Sequence, residues 1–407
     1  MTFLLVNKFF FLNGGSEACM FDGARLLRER GHRVVYLSMS HPRNVAGDGP
    51  AYFVSHVDFN DARGVAAKAR AAVRMLYSLE AKALMEEVIR RERPDVALLH
   101  NVYHQLSPSI LSPLRRHRIP VLMTLHDYKM VCPVYTLFAG GQPCERCSHR
   151  TFSPCISNRC HKGSRAASAM VAFEMALHHS VFDAYAGVTT FISPSRFLAG
   201  KLGEMGFSRP VHHVPNFIDA STVRAQPRAE ERSVVYFGRL TPEKGLRTLI
   251  EAMDGVPGTC HIIGDGPAAA GLRSLAAGRG QGNVTFTAHL AFAALADRVR
   301  RARAVVLPSE WYENAPRSVL EAFALGKAVI GARRGGIPEL VEDGVTGWTF
   351  EPGNAGDLRR ALVLALSKTD TVEQMGARAR TLVEQRYGPD LYYERLMTLC
   401  DQACGQG

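Results

Sequence analysis

At 407 residues the chain is longer than one hydrophobic core sustains and suits two or three domains, which excludes a small disulfide-framework fold. Hydrophobic residues make up 46% of it and charged residues 21%, a balance that buries sizeable cores and excludes a disordered chain. Lys and Arg total 49 against 38 Asp and Glu, a net charge of +11 that favours anionic partners (nucleic acid, phosphate-bearing substrates or an acidic membrane face) without choosing among them.

The first apolar run, residues 3–6, is followed by Asn7 and Lys8. The stretch 3–12 therefore neither spans a membrane nor carries the basic region and cleavage site of a signal peptide, and the chain reads as cytoplasmic, at most at the inner face of the membrane. A turn at Asn13-Gly14-Gly15-Ser16, a helical pattern over 17–30 stopped by Gly31-His32, and a second run at 34–37 open a doubly wound α/β domain. Further strands are expected at 96–99, 120–125 and 188–192. Residues 62–93 read as helix, ended by Pro94; Lys68, Arg70 and Arg74 suit the solvated face of a crossover helix better than a lipid-docking surface.

Around Pro215-Asn216-Phe217-Ile218-Asp219 the pattern breaks, and 220–232 turns polar and charged. A second α/β series follows, with strands at 234–237, 260–263, 284–287, 304–307 and 328–331, helices at 246–253 and 318–325, a Gly335-Gly336 loop and a terminal helix from 357. The last helical pattern, 391–400, is expected to pack back on the first half. The chain thus divides into 1–215, 216–385 and 386–407, the first with a cysteine-rich loop at 132–163.

Two stretches of the second half carry chemistry. In the loop from Gly238 to Gly245 the glycines admit close backbone approach, Arg239 offers a planar fork and Lys244 a compact charge, a pair suited to a diphosphate; the same loop also reads as a capped turn with exposed cations. In the run Ser309-Glu310-Trp311-Tyr312-Glu313-Asn314-Ala315-Pro316, Pro316 suits a first helical turn. Glu313 then lies ahead of the helix and Glu321 within it, with the amides of 317–319 as an anion site between them. A ligand with a central pyrophosphate and a hydroxyl-bearing ring at each end fits that layout. Trp311-Tyr312 either lines a sugar pocket or packs the loop.

In this half Gly238-Arg239-Leu240 with Lys244-Gly245, Gly264-Asp265-Gly266-Pro267, the Glu313 and Glu321 pair, Gly335-Gly336-Ile337-Pro338-Glu339 and Gly344-Val345-Thr346-Gly347 resemble the motifs of the retaining GT-B glycosyltransferases of family 4, which use nucleotide-sugar donors. Gly14-Gly15-Ser16-Glu17 and Thr124-Leu125-His126-Asp127 match the acceptor half of that family. The resemblance implies two facing Rossmann-like domains, acceptor-binding then donor-binding, with an interdomain cleft and a C-terminal helix crossing back. It implies a UDP- or GDP-sugar held through Arg239 and Lys244 on the diphosphate, Glu321 on the ribose and Glu313 on the transferred sugar. Gly238, Gly264 and the amides near Ser318 and Val319 would complete the cradle. Gly15 would let the first-domain loop reach the phosphates, and His126 would sit beside the anomeric centre, although His126 also reads as a satisfied histidine at a strand end. No catalytic metal is implied. The acceptor would be a glycan, lipid-linked, in bacterial exopolysaccharide, O-antigen or capsule synthesis.

Two carboxylates also suggest a glycosidase, but a nucleotide diphosphate already leaves well once its charge is stabilised. A nucleotide-sugar epimerase or hydrolase on the same fold and a non-catalytic binding protein with a zinc loop are the competing readings. A nucleic-acid partner is not expected, since the basic residues are scattered without aromatics; nor is a dinucleotide oxidoreductase, since Asn13-Gly14-Gly15-Ser16 lacks the glycine fingerprint.

Of nine cysteines, Cys132, Cys144, Cys147, Cys155 and Cys160 crowd one loop, with His149 and His161 alongside. The spacing of Cys144, Cys147, Cys155 and Cys160 suits a structural zinc, because a loop this poor in apolar residues would not order by burial; free or disulfide-paired thiols are the alternative and an iron-sulfur cluster the remotest. A subset of polysaccharide-building family 4 enzymes resembles the chain here, and the loop is expected to shape the acceptor pocket. Cys132 reads as a core thiol.

Overall fold

The computed structural model describes residues 1–57, 65–226 and 229–405, without the side chains of 65–70. It divides into two compact units. One comprises 1–137, 144–214 and 392–407, the other 138–143 and 215–391.

In the first unit β1 (Thr2–Val6), β2 (Arg33–Met39), β4 (Val96–Leu99) and β5 (Val121–Thr124) are short and mostly apolar, as strands buried on both faces must be, while β3 (Ala51–Val54) is a partly exposed edge strand. A two-stranded hairpin, β6 (Phe138–Ala139) and β7 (Gln142–Pro143), precedes β8 (Thr190–Ser193) and β9 (Val211–His213). The seven-stranded parallel sheet runs β3-β2-β1-β4-β5-β8-β9, with Val6 beside both Leu37 and Leu99. That order reverses at β1 and β4, the switch point at which open α/β sheets collect ligands.

The second unit repeats the plan. Its strands are β10 (Ser233–Phe237), β11 (Thr259–Ile263), β12 (Val284–Thr287), β13 (Ala304–Leu307), β14 (Ala328–Ala332) and β15 (Gly347–Phe350), in the parallel order β12-β11-β10-β13-β14-β15. The helix Pro389–Cys404 ends in the first unit, where Leu396, Leu399, Cys400 and Ala403 join Phe3, Phe10, Met20 and Leu27 in one core.

Two expectations change. The helix expected over 62–93 is two helices, Val65–Leu76 and Leu79–Glu92, because Ser78 takes an extended conformation and its hydroxyl caps the second by accepting from Ala81 N–H at 3.1 Å. Residues 62–64, the side chains of Lys68 and Arg70, and 227–228 of the expected boundary segment lie outside the described residues. The cysteine loop also differs. It does order by burial: Phe152, Cys147 and Cys155 pack with Val171, Ala172 and Met175 of the helix Arg165–Ala176. Burial pushes the Cys147 thiol up to about 12 and Cys155 higher still, so both stay protonated. Among the described residues no group of three or more His, Cys, Asp or Glu side chains could hold a metal ion. Cys147 and Cys155 thus belong to that core, whereas Cys144 and Cys160 are half-buried.

A buried ion pair ties this loop to the sheet. Lys129 Nζ lies 2.7 Å from Glu174 Oε2, both side chains are closed to solvent, and Lys129 also donates to the Pro133 carbonyl at 3.2 Å. Burial pushes the Glu174 carboxyl up, but Lys129 and His104 outweigh it and hold the group well below the usual carboxylate range. Lys129→Ala is expected to cost about 3–5 kcal/mol in urea unfolding, because it strands a buried carboxylate, whereas replacing the pair with Met and Leu should recover most of that loss.

Candidate functional site

In the second unit the loop after β10 passes through a single turn, Pro242–Lys244, into the helix Leu246–Ala252. Gly245 takes φ +68°, and a Cβ there would fall 1.8 Å from the Pro308 carbonyl oxygen. The loops after β10 and β13 therefore pack backbone against backbone, a contact only glycine permits. Glu310 N–H donates to the Glu243 carbonyl at 2.9 Å, and Thr248 Oγ1 donates to Glu310 Oε1 at 2.6 Å.

This packing delivers Lys244 to Glu313. The ammonium lies 2.6 Å from Glu313 Oε1, which also accepts from Ser309 Oγ at 2.6 Å, and it stands 4.9 Å from the centre of the Trp311 ring. The Lys244 and Glu313 side chains are only 13% and 7% exposed. Burial raises the Glu313 carboxyl, but Lys244 and the Ser309 hydrogen bond outweigh it, leaving the group below its ordinary value and ionised. Neither Ser309 nor Glu310 stood out in the sequence, although both lie in the run that frames Glu313.

The other expected residues of this half make contacts of their own. Arg239 is exposed, and its guanidinium makes no ion pair or hydrogen bond among the described residues. Gly238 and Gly264 adjoin, the Gly238 carbonyl oxygen lying where a Gly264 side chain would begin. Glu321 accepts from Arg317 Nε at 2.9 Å across one turn of the helix Arg317–Ala324. Val319 N–H is committed to the Pro316 carbonyl at 3.0 Å, so the cradle expected from both amides retains Ser318 at the open first turn.

In the first unit the polar residues gather at the C-terminal ends of β1, β4 and β5. His126 Nε2 lies 2.8 Å from His100 Nδ1, with the rings stacked 5.1 Å apart. Burial pushes His100 down to about 4; burial and then His100 hold His126 well below its ordinary value. Both rings are neutral near pH 7, and one donates to the other. Asp127 Oδ1 accepts from Lys129 N–H at 3.0 Å and Oδ2 from the Tyr103 hydroxyl. Gly15 opens the helix Gly15–Glu29, and a Cβ on it would meet nothing within 4 Å, so the chain's own packing does not demand glycine there. Two residues on, buried Glu17 accepts from Asn7 Nδ2 at 3.2 Å and Ser16 Oγ at 3.0 Å. His100 escaped the sequence reading; its signal was a histidine directly after a four-residue apolar run.

Comparison with known proteins covers both halves. The family model described as Glycosyltransferase Family 4 matches residues 13–222, and that described as Glycosyl transferases group 1 matches 219–382. The sulfoquinovosyl transferase SQD2 of Arabidopsis thaliana is 34% identical over 160 residues, covering 38% of this chain and 31% of the relative, so the chain spans about a third of that curated protein's length. Among solved structures, a sucrose-phosphate synthase from Thermosynechococcus elongatus superposes over 100% of both chains with a TM-score of 0.76 at 16% identity. The Anabaena protein HepE, solved in complex with UDP and glucose, superposes over 98% of this chain and 100% of its own with a TM-score of 0.68 at 18% identity.

Gly335 tests how tightly Glu313 is held. It takes φ +64°, and a Cβ there would lie 2.3 Å from the Glu313 carbonyl oxygen and 2.5 Å from its nitrogen. Gly335→Ala is expected to destabilise the chain by about 2–3 kcal/mol in urea unfolding; a loss below about 0.5 kcal/mol contradicts the close approach.

Proposed function

The chain belongs to glycosyltransferase family 4 and has the GT-B fold, and from that premise we propose that it transfers a hexose, with retention, from a UDP- or GDP-sugar to a glycan acceptor. The observation that carries this reading is the ionised, nearly buried Glu313 clamped by Lys244, with Arg239 exposed on the same loop as that lysine. A carboxylate that only accepts hydrogen bonds suits sugar hydroxyls, whereas two cations suit the diphosphate beside them.

Chemically, the step needs the developing charge on the departing diphosphate stabilised. Arg239, Lys244 and the amide end of the helix Arg317–Ala324 supply that without a proton donor. Glu321 takes the ribose hydroxyls, Glu313 those of the transferred sugar, and the departing phosphate accepts the acceptor's proton on the face it leaves. The open space at Gly15 supports backbone approach to a phosphate. His126, neutral, hydrogen-bonds sugar hydroxyls rather than acting as a cation. The acceptor half is the first unit, and its substrate is a lipid-linked glycan of bacterial surface polysaccharide synthesis.

Thermal shift over UDP- and GDP-sugars identifies the donor, and product analysis with donor alone separates transfer from epimerisation or hydrolysis. Lys244→Ala and Glu313→Ala are each expected to lower turnover at least about a hundredfold while the fold survives. Near-normal transfer by both variants overturns the assignment.

A further inference from the structure

The helix Arg165–Ala176 and the π turn Leu177–Val181 that extends it are apolar on both sides: Val171, Ala172 and Met175 are buried in the core, yet other large apolar side chains face solvent. Ser168, Glu174 and His178 are buried. On the opposite side Met170, Phe173, Leu177 and Val181 recur every three or four residues, which puts them on one line, and Phe182 follows. Phe173 is 55% exposed, and Val181 and Phe182 are 66% exposed. A surface helix ordinarily turns polar residues outward, and an exposed apolar stripe of this length marks a contact surface. His178 Nε2 donates to the Leu76 carbonyl at 2.8 Å, which sets the end of the helix Val65–Leu76, with exposed Val73 and Tyr77, alongside.

The charge around this stripe is mostly positive, and the exposed Asp183 that follows Phe182 is paired with Arg209. From Arg146 to Phe173 the sequence contains no Asp or Glu, while Arg150, Arg159, Lys162 and Arg165 are exposed; the helix Val65–Leu76 has no acidic residue either. Arg165 is the first residue of its helix, where the dipole disfavours a cation, and neither Arg159 nor Arg165 makes an ion pair among the described residues. Internal ion pairing accounts for neither Arg159 nor Arg165, and internal packing does not account for the exposed apolar line.

We propose that this face of the first unit docks on an anionic lipid bilayer, with Met170, Phe173, Val181 and Phe182 entering the headgroup boundary and Arg159, Lys162 and Arg165 meeting lipid phosphates. No helix among the described residues is long and apolar enough to cross a membrane, so the contact lies in the membrane plane. The docking stands independently of the transfer chemistry, because it is measured with neither donor nor acceptor present.

The test floats the full chain with vesicles of phosphatidylcholine alone and with vesicles containing phosphatidylglycerol, at low and high salt. The chain is expected to float with the anionic vesicles only, and less so in high salt. Phe173→Asp combined with Val181→Asp, and separately Arg159, Lys162 and Arg165 each changed to Glu, should each lower partitioning at least about tenfold with unchanged thermal unfolding. Should the aspartates unfold the chain, Phe173→Ser with Val181→Ser is measured instead. No flotation, equal binding to both vesicle types, or full binding by the variants overturns the proposal. So does a lipid-free dimer, seen by sedimentation, that Phe173→Asp abolishes, since that assigns the stripe to a second copy of the chain.

Discussion

The second unit is organised around one buried contact, the ammonium of Lys244 against the carboxylate of Glu313. A charge removed from water is tolerated only when paired and hydrogen-bonded, and each partner here does that for the other, with Ser309 and the Trp311 face completing the surroundings. The pair joins the loops that follow β10 and β13, two strands that lie side by side. Gly245 and Gly335 make the arrangement sterically possible, one by letting the two loops touch and the other by leaving room for the backbone of Glu313. Lys244, Gly245, Ser309 and Gly335, four positions on three loops, thus hold one carboxylate in place.

The first unit solves a different problem. The C-terminal edge of its sheet gathers hydrogen-bonded groups, His100, His126, Asp127 and Tyr103, with the Lys8 ammonium over the Tyr103 ring. Behind them Lys129 and Glu174 fasten the loop after β5 to the helix Arg165–Ala176. That helix therefore turns its only carboxylate inward and leaves Met170 and Phe173 outside, in line with Val181 of the turn that follows.

Much of this was legible from sequence, because parallel strands buried on both faces appear as unbroken apolar runs. β1, β4, β10, β13 and β14 fall where such runs lie, and the glycine loops mark the turns between them. β3 and β9 were hidden, since an edge strand such as Ala51–Val54 is short and half exposed. The break at Ser78 was missed because helix periodicity continues through it, and only the capping hydroxyl tells the two helices apart. The cysteine loop misled for a chemical reason. Cysteine spacing does not show that the loop packs on the apolar surface of a helix arriving from later in the chain. Likewise the partner of Glu313 was identifiable as a residue type, but contact across sixty-nine positions is a property of the fold.

The return of the chain into the first unit bears on the order of synthesis. Leu396, Leu399, Cys400 and Ala403 fill a core otherwise built from residues that leave the ribosome hundreds of positions earlier, whereas residues 215–391 form an almost contiguous body. The half made first must therefore wait with an open hydrophobic flank while the half made second closes, so its final consolidation is post-translational and its nascent form a natural client for chaperones.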